Sequence, residues 1–165
     1  MKRKFIFFFL CCLALSASLF LYLHYRVAPG LDLSNINLSD KRDKTLLAAQ
    51  LPKGKGIVIQ FFASWCPDCR KEMPDLAQAS TRLLASEVLC YAFTDEPLDR
   101  ISAYTDKFKE SDIQFFQLWK PFKTYGINAI PTTYFIKSDG STVYSKVGKT
   151  NWEDLDWILE RFDIR

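Results

Sequence analysis

The chain has 165 residues with 22 Lys+Arg, 19 Asp+Glu and a single His, a formal net charge of +3, a 48% hydrophobic fraction and 14 Phe. Lys2, Arg3 and Lys4 supply three of the 22 basic residues, leaving 19 against 19 acidic groups, so the remainder is neutral, shows no basic stripe, and is expected to have no nucleic-acid partner. Removing the apolar leader leaves about 140 residues, enough for one domain with a sizeable core.

Phe5 to Leu23 is a run of nineteen residues without charge, interrupted only by Ser16 and Ser18. At about 1.5 Å rise per residue such a helix approaches the roughly 30 Å hydrocarbon core of a bilayer. Leu19 to Leu23 stay apolar past the candidate cleavage sites Ala14-Leu15-Ser16 and Ser16-Ala17-Ser18, so an uncleaved anchor is favoured over a secretory signal. Residues 1–25 are thus an N-terminal membrane anchor or signal segment, with the basic end in the cytoplasm and the rest exported. Cys11 and Cys12 read as apolar filler, because Leu10 stands where lipid-modification motifs have a small residue. Residues 26–42, with Pro29, Gly30 and several turn-formers, read as a tether. Residues 43–165 form the domain, opening with Asp43 as cap of a short helix over Lys44 to Gln50.

Ile57 to Ala63 is β-branched, aromatic, short and preceded by Gly54 and Gly56, which predicts a strand buried on both faces. Cys66-Pro67-Asp68-Cys69 comes next. Pro67 suits the first turn of a helix and places Cys66 at its N-cap, where unpaired backbone N–H groups and the helix dipole favour thiolate over thiol. Cys66 is then the nucleophile. Cys69, one turn on, is more buried and placed to attack a mixed disulfide on Cys66. A zinc site would need two further ligands, for which only Cys90 and His24 are nominally available. A disulfide closing so short a loop restrains the unfolded chain little.

A long helix carries Leu76, Ala77, Leu83 and Leu84 on its apolar face, with Pro74 inside it. Val88 to Phe93 is a second buried strand, making Cys90 a core residue. Ile101, Tyr104 and Phe108 predict a surface helix over 98–110. Ile113 to Phe116 is extended, Pro121 to Tyr125 is one helical turn, and Thr132 to Ile136 is a strand paired through an Asp139-Gly140 turn with Thr142 to Val147. Trp152, Leu155, Ile158, Leu159 and Phe162 mark the closing helix.

Phe61-Phe62-Ala63-Ser64-Trp65-Cys66-Pro67-Asp68-Cys69-Arg70-Lys71-Glu72-Met73-Pro74 resembles the active-site segment of thioredoxin-fold thiol–disulfide oxidoreductases, most of all the exported TlpA/ResA/CcmG (DsbE) branch. Residues 125–136 are similar to that branch's cis-proline segment, and the resemblance covers about residues 42–163. It implies an α/β thioredoxin-like fold, a mixed β-sheet flanked by helices, here preceded by a transmembrane or signal helix. It also implies that Pro131 is cis and packs beside the dithiol. The backbone of Ile130 would then pair with an extended substrate peptide, with Trp65, Pro67 and Gly148 on the same substrate-binding surface. Thioredoxin's buried Asp, six residues before the first Cys, is replaced by Gln60, which cannot accept a proton from Cys69. Glu72, three after the second Cys, matches an acidic residue associated in the branch with tuning the dithiol. A half-buried carboxylate there would have a raised pKa and could shuttle a proton. The charge of Asp68 opposes a thiolate on Cys66.

These resemblances lead to a monomeric, membrane-tethered, extracytoplasmic oxidoreductase of the bacterial inner membrane that faces the periplasm and needs no cofactor or metal. It would reduce exported proteins with Cys thiols or disulfides, those of cytochrome c assembly included, and draw electrons from a membrane donor of the DsbD/CcdA type. A disulfide oxidase or isomerase is one alternative. A copper-delivering thiol chaperone is another, although such relatives use Cys-x-x-x-Cys and a distant His.

Overall fold

The computed structural model describes residues 2–26, 28–42 and 44–164, excepting the side chains at 2, 3, 5 and 23–26. Asp43 and the His24 side chain therefore lie outside the described residues.

Among the described residues, seven strands run β1 Asn37–Ser39, β2 Thr45–Leu47, β3 Gly56–Phe61, β4 Val88–Thr94, β5 Ile113–Leu118, β6 Thr132–Lys137 and β7 Thr142–Val147. They form one mixed sheet in the order β2-β1-β5-β4-β3-β6-β7. β3, β4 and β5 are parallel neighbours, and the other pairings are antiparallel. β3 lies inside the sheet with every residue buried, which accounts for an apolar run broken only by Gln60. Val58 and Phe62 face one cluster, with helices α2 (Pro67–Ala85) and α4 (Leu155–Arg161); Ile57, Ile59 and Phe61 face the other. Gly56 is required by the closing helix, since a Cβ there would sit 2.3 Å from the Phe162 ring.

That second face must also be covered, and the segment expected as a tether supplies part of the cover. Leu33, Ile36 and Leu38 are buried against β3 and β4, and β1 joins the sheet beside β5. Folded structure thus begins before residue 43. The helix expected over 44–50 is instead β2 followed by a 3-10 turn, Ala48–Gln50. Pairing of Asn37 to Ser39 with Thr45 to Leu47 extends this stretch, and burial of Ala48 and Leu51 fixes the turn. The helix expected over 98–110 is shorter: α3 (Ser102–Thr105) leads into a 3-10 turn, Asp106–Phe108. Before it the N–H groups of Arg100 and Ile101 both turn back to the Pro97 carbonyl. The apolar residues still reach the core, with Ile101 buried and Tyr104 and Phe108 packed on it.

α2 has the N-terminus its sequence predicts, Cys66 as N-cap, Pro67 in the first turn and Asp68 beside the positive end of the dipole. Cys69, Met73, Leu76, Ala79 and Leu83 are buried at helical spacing. The helix runs through Pro74 to Ala85.

N-terminal to the domain, α1 spans Lys2–Arg26. Its large apolar side chains described between 6 and 22 are exposed, Phe7 by 70% and Leu15 by 71%. Among the described residues no helix is long and apolar enough to cross a membrane.

Candidate functional site

The carboxyl ends of β3 and β4 lie side by side, and the chain leaving β3 is held there. Phe62 N–H donates to the Phe93 carbonyl at 2.9 Å. Ser64 donates its N–H to Glu96 Oε2 at 2.5 Å and its hydroxyl to Glu96 Oε1 at 2.8 Å. One carboxylate from the loop after β4 therefore fixes the residue two before the first cysteine. Trp65 is left 66% exposed.

Cys66 is at the N-cap with extended backbone, and its Sγ accepts the N–H of Cys69 at 3.3 Å. The two sulfurs are 2.6 Å apart and both cysteines are free. Cys66 retains slight exposure and Cys69 none. Burial pushes the Cys69 thiol well above the ordinary range, and the Cys66 sulfur and Glu72 add to the shift. Cys90, on β4, is buried too and pushed up by the same cause.

The Ile130–Pro131 peptide is cis. Cys66 Sγ lies 3.7 Å from the Ile130 carbonyl oxygen. Gly148, at φ +89°, follows β7 and donates its N–H to the Pro131 carbonyl at 2.8 Å, so Cys66, Ile130, Pro131 and Gly148 form one continuous patch. Pro67 is exposed beside it. Trp65, Phe122, Ile127 and Ile130 line an adjoining cavity of about 270 Å³.

Glu72 is buried more completely than the sequence predicts, at 2% exposure. Its Oε1 accepts the Thr150 N–H at 3.0 Å and the Trp152 indole N–H at 2.7 Å. Burial raises its pKa; these two hydrogen bonds and the charges of Lys146 and Lys149 oppose that rise. Gln60 is fully buried opposite Thr133 on β6. Glu72 Oε2, both Gln60 amide atoms, and the Thr133 and Thr150 hydroxyls have no hydrogen-bond partner. Among the described residues, no three Cys, His, Asp or Glu side chains converge as a metal site.

A family model described as a thioredoxin-like domain matches residues 44–163. The chain belongs to the thioredoxin-like family. Within it the chain groups with ResA: it is 32% identical over 143 residues to the thiol-disulfide oxidoreductase ResA of Oceanobacillus iheyensis, covering 82% of this chain and 72% of that protein. To ResA of Bacillus anthracis it is 27% identical over 137 residues, covering 80% and 77%. Among solved structures, a thiol:disulfide interchange protein from Chlorobium tepidum superposes with a TM-score of 0.60 at 24% identity, covering 81% of this chain and 97% of that one. StoA from Bacillus subtilis gives 0.57 at 20%, covering 79% and 98%. This thioredoxin-like chain is a thiol–disulfide oxidoreductase.

The sequence reading missed the partners that hold the site. Thr150 and Trp152 lie 78 and 80 residues from Glu72, and Glu96 lies 32 from Ser64. Only the last had a signal. Parallel neighbouring strands bring their carboxyl ends together, so a polar residue after β4 was placed to reach the loop after β3.

Proposed function

We propose that this chain is tethered to the bacterial inner membrane by α1, faces the extracytoplasmic side, and reduces disulfides in exported proteins through Cys66 and Cys69. The observation that carries this reading is the Cys66 sulfur, at a helix N-terminus, 3.3 Å from the Cys69 N–H and 3.7 Å from the Ile130 carbonyl. An attacking sulfur, a resolving sulfur and a backbone edge for substrate are thereby within one patch.

In the forward reaction the Cys66 thiolate attacks one sulfur of the substrate disulfide. The substrate S–S bond breaks, a Cys66–substrate S–S bond forms, and the leaving thiolate takes up a proton. Cys69 then loses its proton and attacks Cys66 Sγ, releasing the second substrate thiolate, which is protonated in turn. The protein's two thiols have become a disulfide, and two electrons and two protons have passed to the substrate. Because Cys69 is buried and holds its proton tightly, the second step needs a base. Glu72, buried on the same helix with one unpartnered oxygen, takes that part. Gln60 cannot. Ile130 and Pro131 align the substrate backbone, with Trp65, Pro67 and Gly148 around them.

Tethering is supported by the exposed apolar side chains of α1, which water solvates poorly and lipid accepts. Residues 1–25 are assigned to the anchor and the later residues to the exported part of the chain. A membrane dithiol donor of the DsbD/CcdA type would return the protein to its reduced form, and substrates would include exported thiols destined for haem attachment. The test is capture with Cys69→Ala, which leaves substrates disulfide-linked to Cys66, together with the redox state in cells and the potential. A dithiol found reduced, with a potential more negative than about −200 mV, supports reduction. A dithiol found oxidised, with a potential near about −120 mV, would make the chain an oxidase instead.

A further inference from the structure

A second cavity, of about 300 Å³, has a lining that includes Ser64, Arg70, Arg100, Tyr104 and Lys107. It is close to the reacting sulfur: Arg70 donates its N–H to the Cys66 carbonyl at 3.0 Å, and Ser64 is two residues before Cys66. The ion pairs of the described residues use Lys41, Arg42, Lys55, Arg82, Lys109 and Lys137 as cations. Arg70, Arg100 and Lys107 are in none of them. The carboxylate at the margin of the cavity, Glu96, is engaged through both oxygens by Ser64, and Asp106 is paired with Lys41.

Tyr104 adds an independent observation. Its ring stacks on Phe62 at 6.0 Å and meets Phe108 edge-on at 5.4 Å, so its position is fixed. Its hydroxyl is nevertheless buried without a hydrogen-bond partner. Burial pushes the phenol up to about 12, which keeps that hydroxyl an O–H donor throughout the working range. A fixed, unmatched donor costs stability in the free protein, and three neighbouring cations repel one another.

We infer that this cavity is a subsite for a carboxylate of the substrate, an Asp or Glu side chain next to the target cysteine. A carboxylate there accepts from Tyr104 and from a guanidinium, in the charge-assisted geometry that Arg provides. Substrate selection then has two arms, an apolar contact on the Trp65 side and an acidic contact on the Arg100 side. The subsite rests on the exchange reading above, since it is defined by its nearness to Cys66.

The test uses the reduced full chain in a neutral detergent and two peptide disulfides that differ only in carrying Glu or Gln beside the disulfide-bonded cysteine. At low ionic strength the Glu peptide should react about 3- to 10-fold faster, with the ratio approaching one in about 1 M salt as screening shortens the reach of the charges. In the double variant Arg100→Gln, Lys107→Gln the Glu-to-Gln rate ratio should fall towards one. Tyr104→Phe, which keeps the ring stack and removes the donor, should lower it in part. Equal rates for the two peptides at low salt, or a ratio that both variants leave unchanged, would overturn the subsite. Failure of both peptides to react at all would overturn the exchange reading itself.

Discussion

Trp152 donates its indole N–H to Glu72 Oε1 at 2.7 Å, joining the loop before the last helix to the second turn of the helix capped by Cys66. The acceptor is buried at 2% exposure, and the donor ring stacks on Phe135 at 5.9 Å. The fold thus pins the carboxylate proposed to serve Cys69 from a loop about 80 residues further along the chain.

Replacing that donor separates its hydrogen bond from its packing. Trp152→Phe keeps an aromatic ring over Phe135 and removes the N–H. A bond to a buried carboxylate of this kind contributes about 1.5–3 kcal/mol, so equilibrium unfolding should show a loss of about that size. With one of its two opposing hydrogen bonds gone, the Glu72 pKa should rise further, and the pH profile for release of the mixed disulfide should move to higher pH. Glu72→Gln should slow that release about a hundredfold, within the range of general-base catalysis, while leaving formation of the mixed disulfide far less affected. Stopped-flow measurement of the two steps decides between this assignment and an inert buried carboxylate.

Alkylation of the reduced chain tests the division of labour between the cysteines. Cys69 and Cys90 are both pushed well above the ordinary thiol range by burial, whereas Cys66 keeps an accessible edge at the N-cap. At about pH 6, iodoacetamide should label Cys66 at least tenfold faster than Cys69 or Cys90, read by peptide mapping so that Cys11 and Cys12 of α1 are scored separately. Equal labelling of Cys66 and Cys69 would remove the distinction between attacking and resolving thiol.

Glu96 should matter without touching substrate. Glu96→Ala frees the N–H and hydroxyl of Ser64, loosening the loop two residues ahead of the nucleophile. Exchange should slow about tenfold, in keeping with the sensitivity of rates to small misplacements. Glu96→Gln, which preserves one acceptor oxygen, should recover part of the loss. An unchanged rate in Glu96→Ala would show that the loop is held by its flanking strands alone.

Where the sequence was sufficient, the signals were local. β3 shows as a run of apolar residues, the start of α2 as Cys66-Pro67, and the β6–β7 hairpin as Asp139-Gly140 between two β-rich stretches. β1 and β2 are three residues each, and their strand character depends on pairing with one another and with β5, so Pro29, Gly30 and the polar residues nearby prevailed in the reading. α3 kept its apolar spacing but lost its length to hydrogen bonds from the turn at Pro97. For Glu72 the sequence offered position along the helix; its depth of burial depends on Thr150 and Trp152, whose approach no local pattern encodes.

Stability against pH gives a test of Glu72 that does not involve catalysis. Its folded-state pKa is raised, chiefly by burial. Below the unfolded-state pKa, about 4.3, both states hold the proton and the group contributes nothing to the slope. As pH rises past that value the unfolded chain ionises first, while folded Glu72 keeps its proton, so the unfolded state is favoured and stability falls until the raised folded pKa is passed. Beyond it the penalty is constant. Glu72→Gln removes this dependence and leaves the other carboxylates as they were. The difference in unfolding free energy, variant minus parent, should therefore grow in the variant's favour as pH rises above the unfolded-state pKa of about 4.3, both proteins being held reduced. A difference that stays constant across that range would mean that the Glu72 carboxyl titrates as an ordinary solvated group, and its role as the base for Cys69 would fall with it.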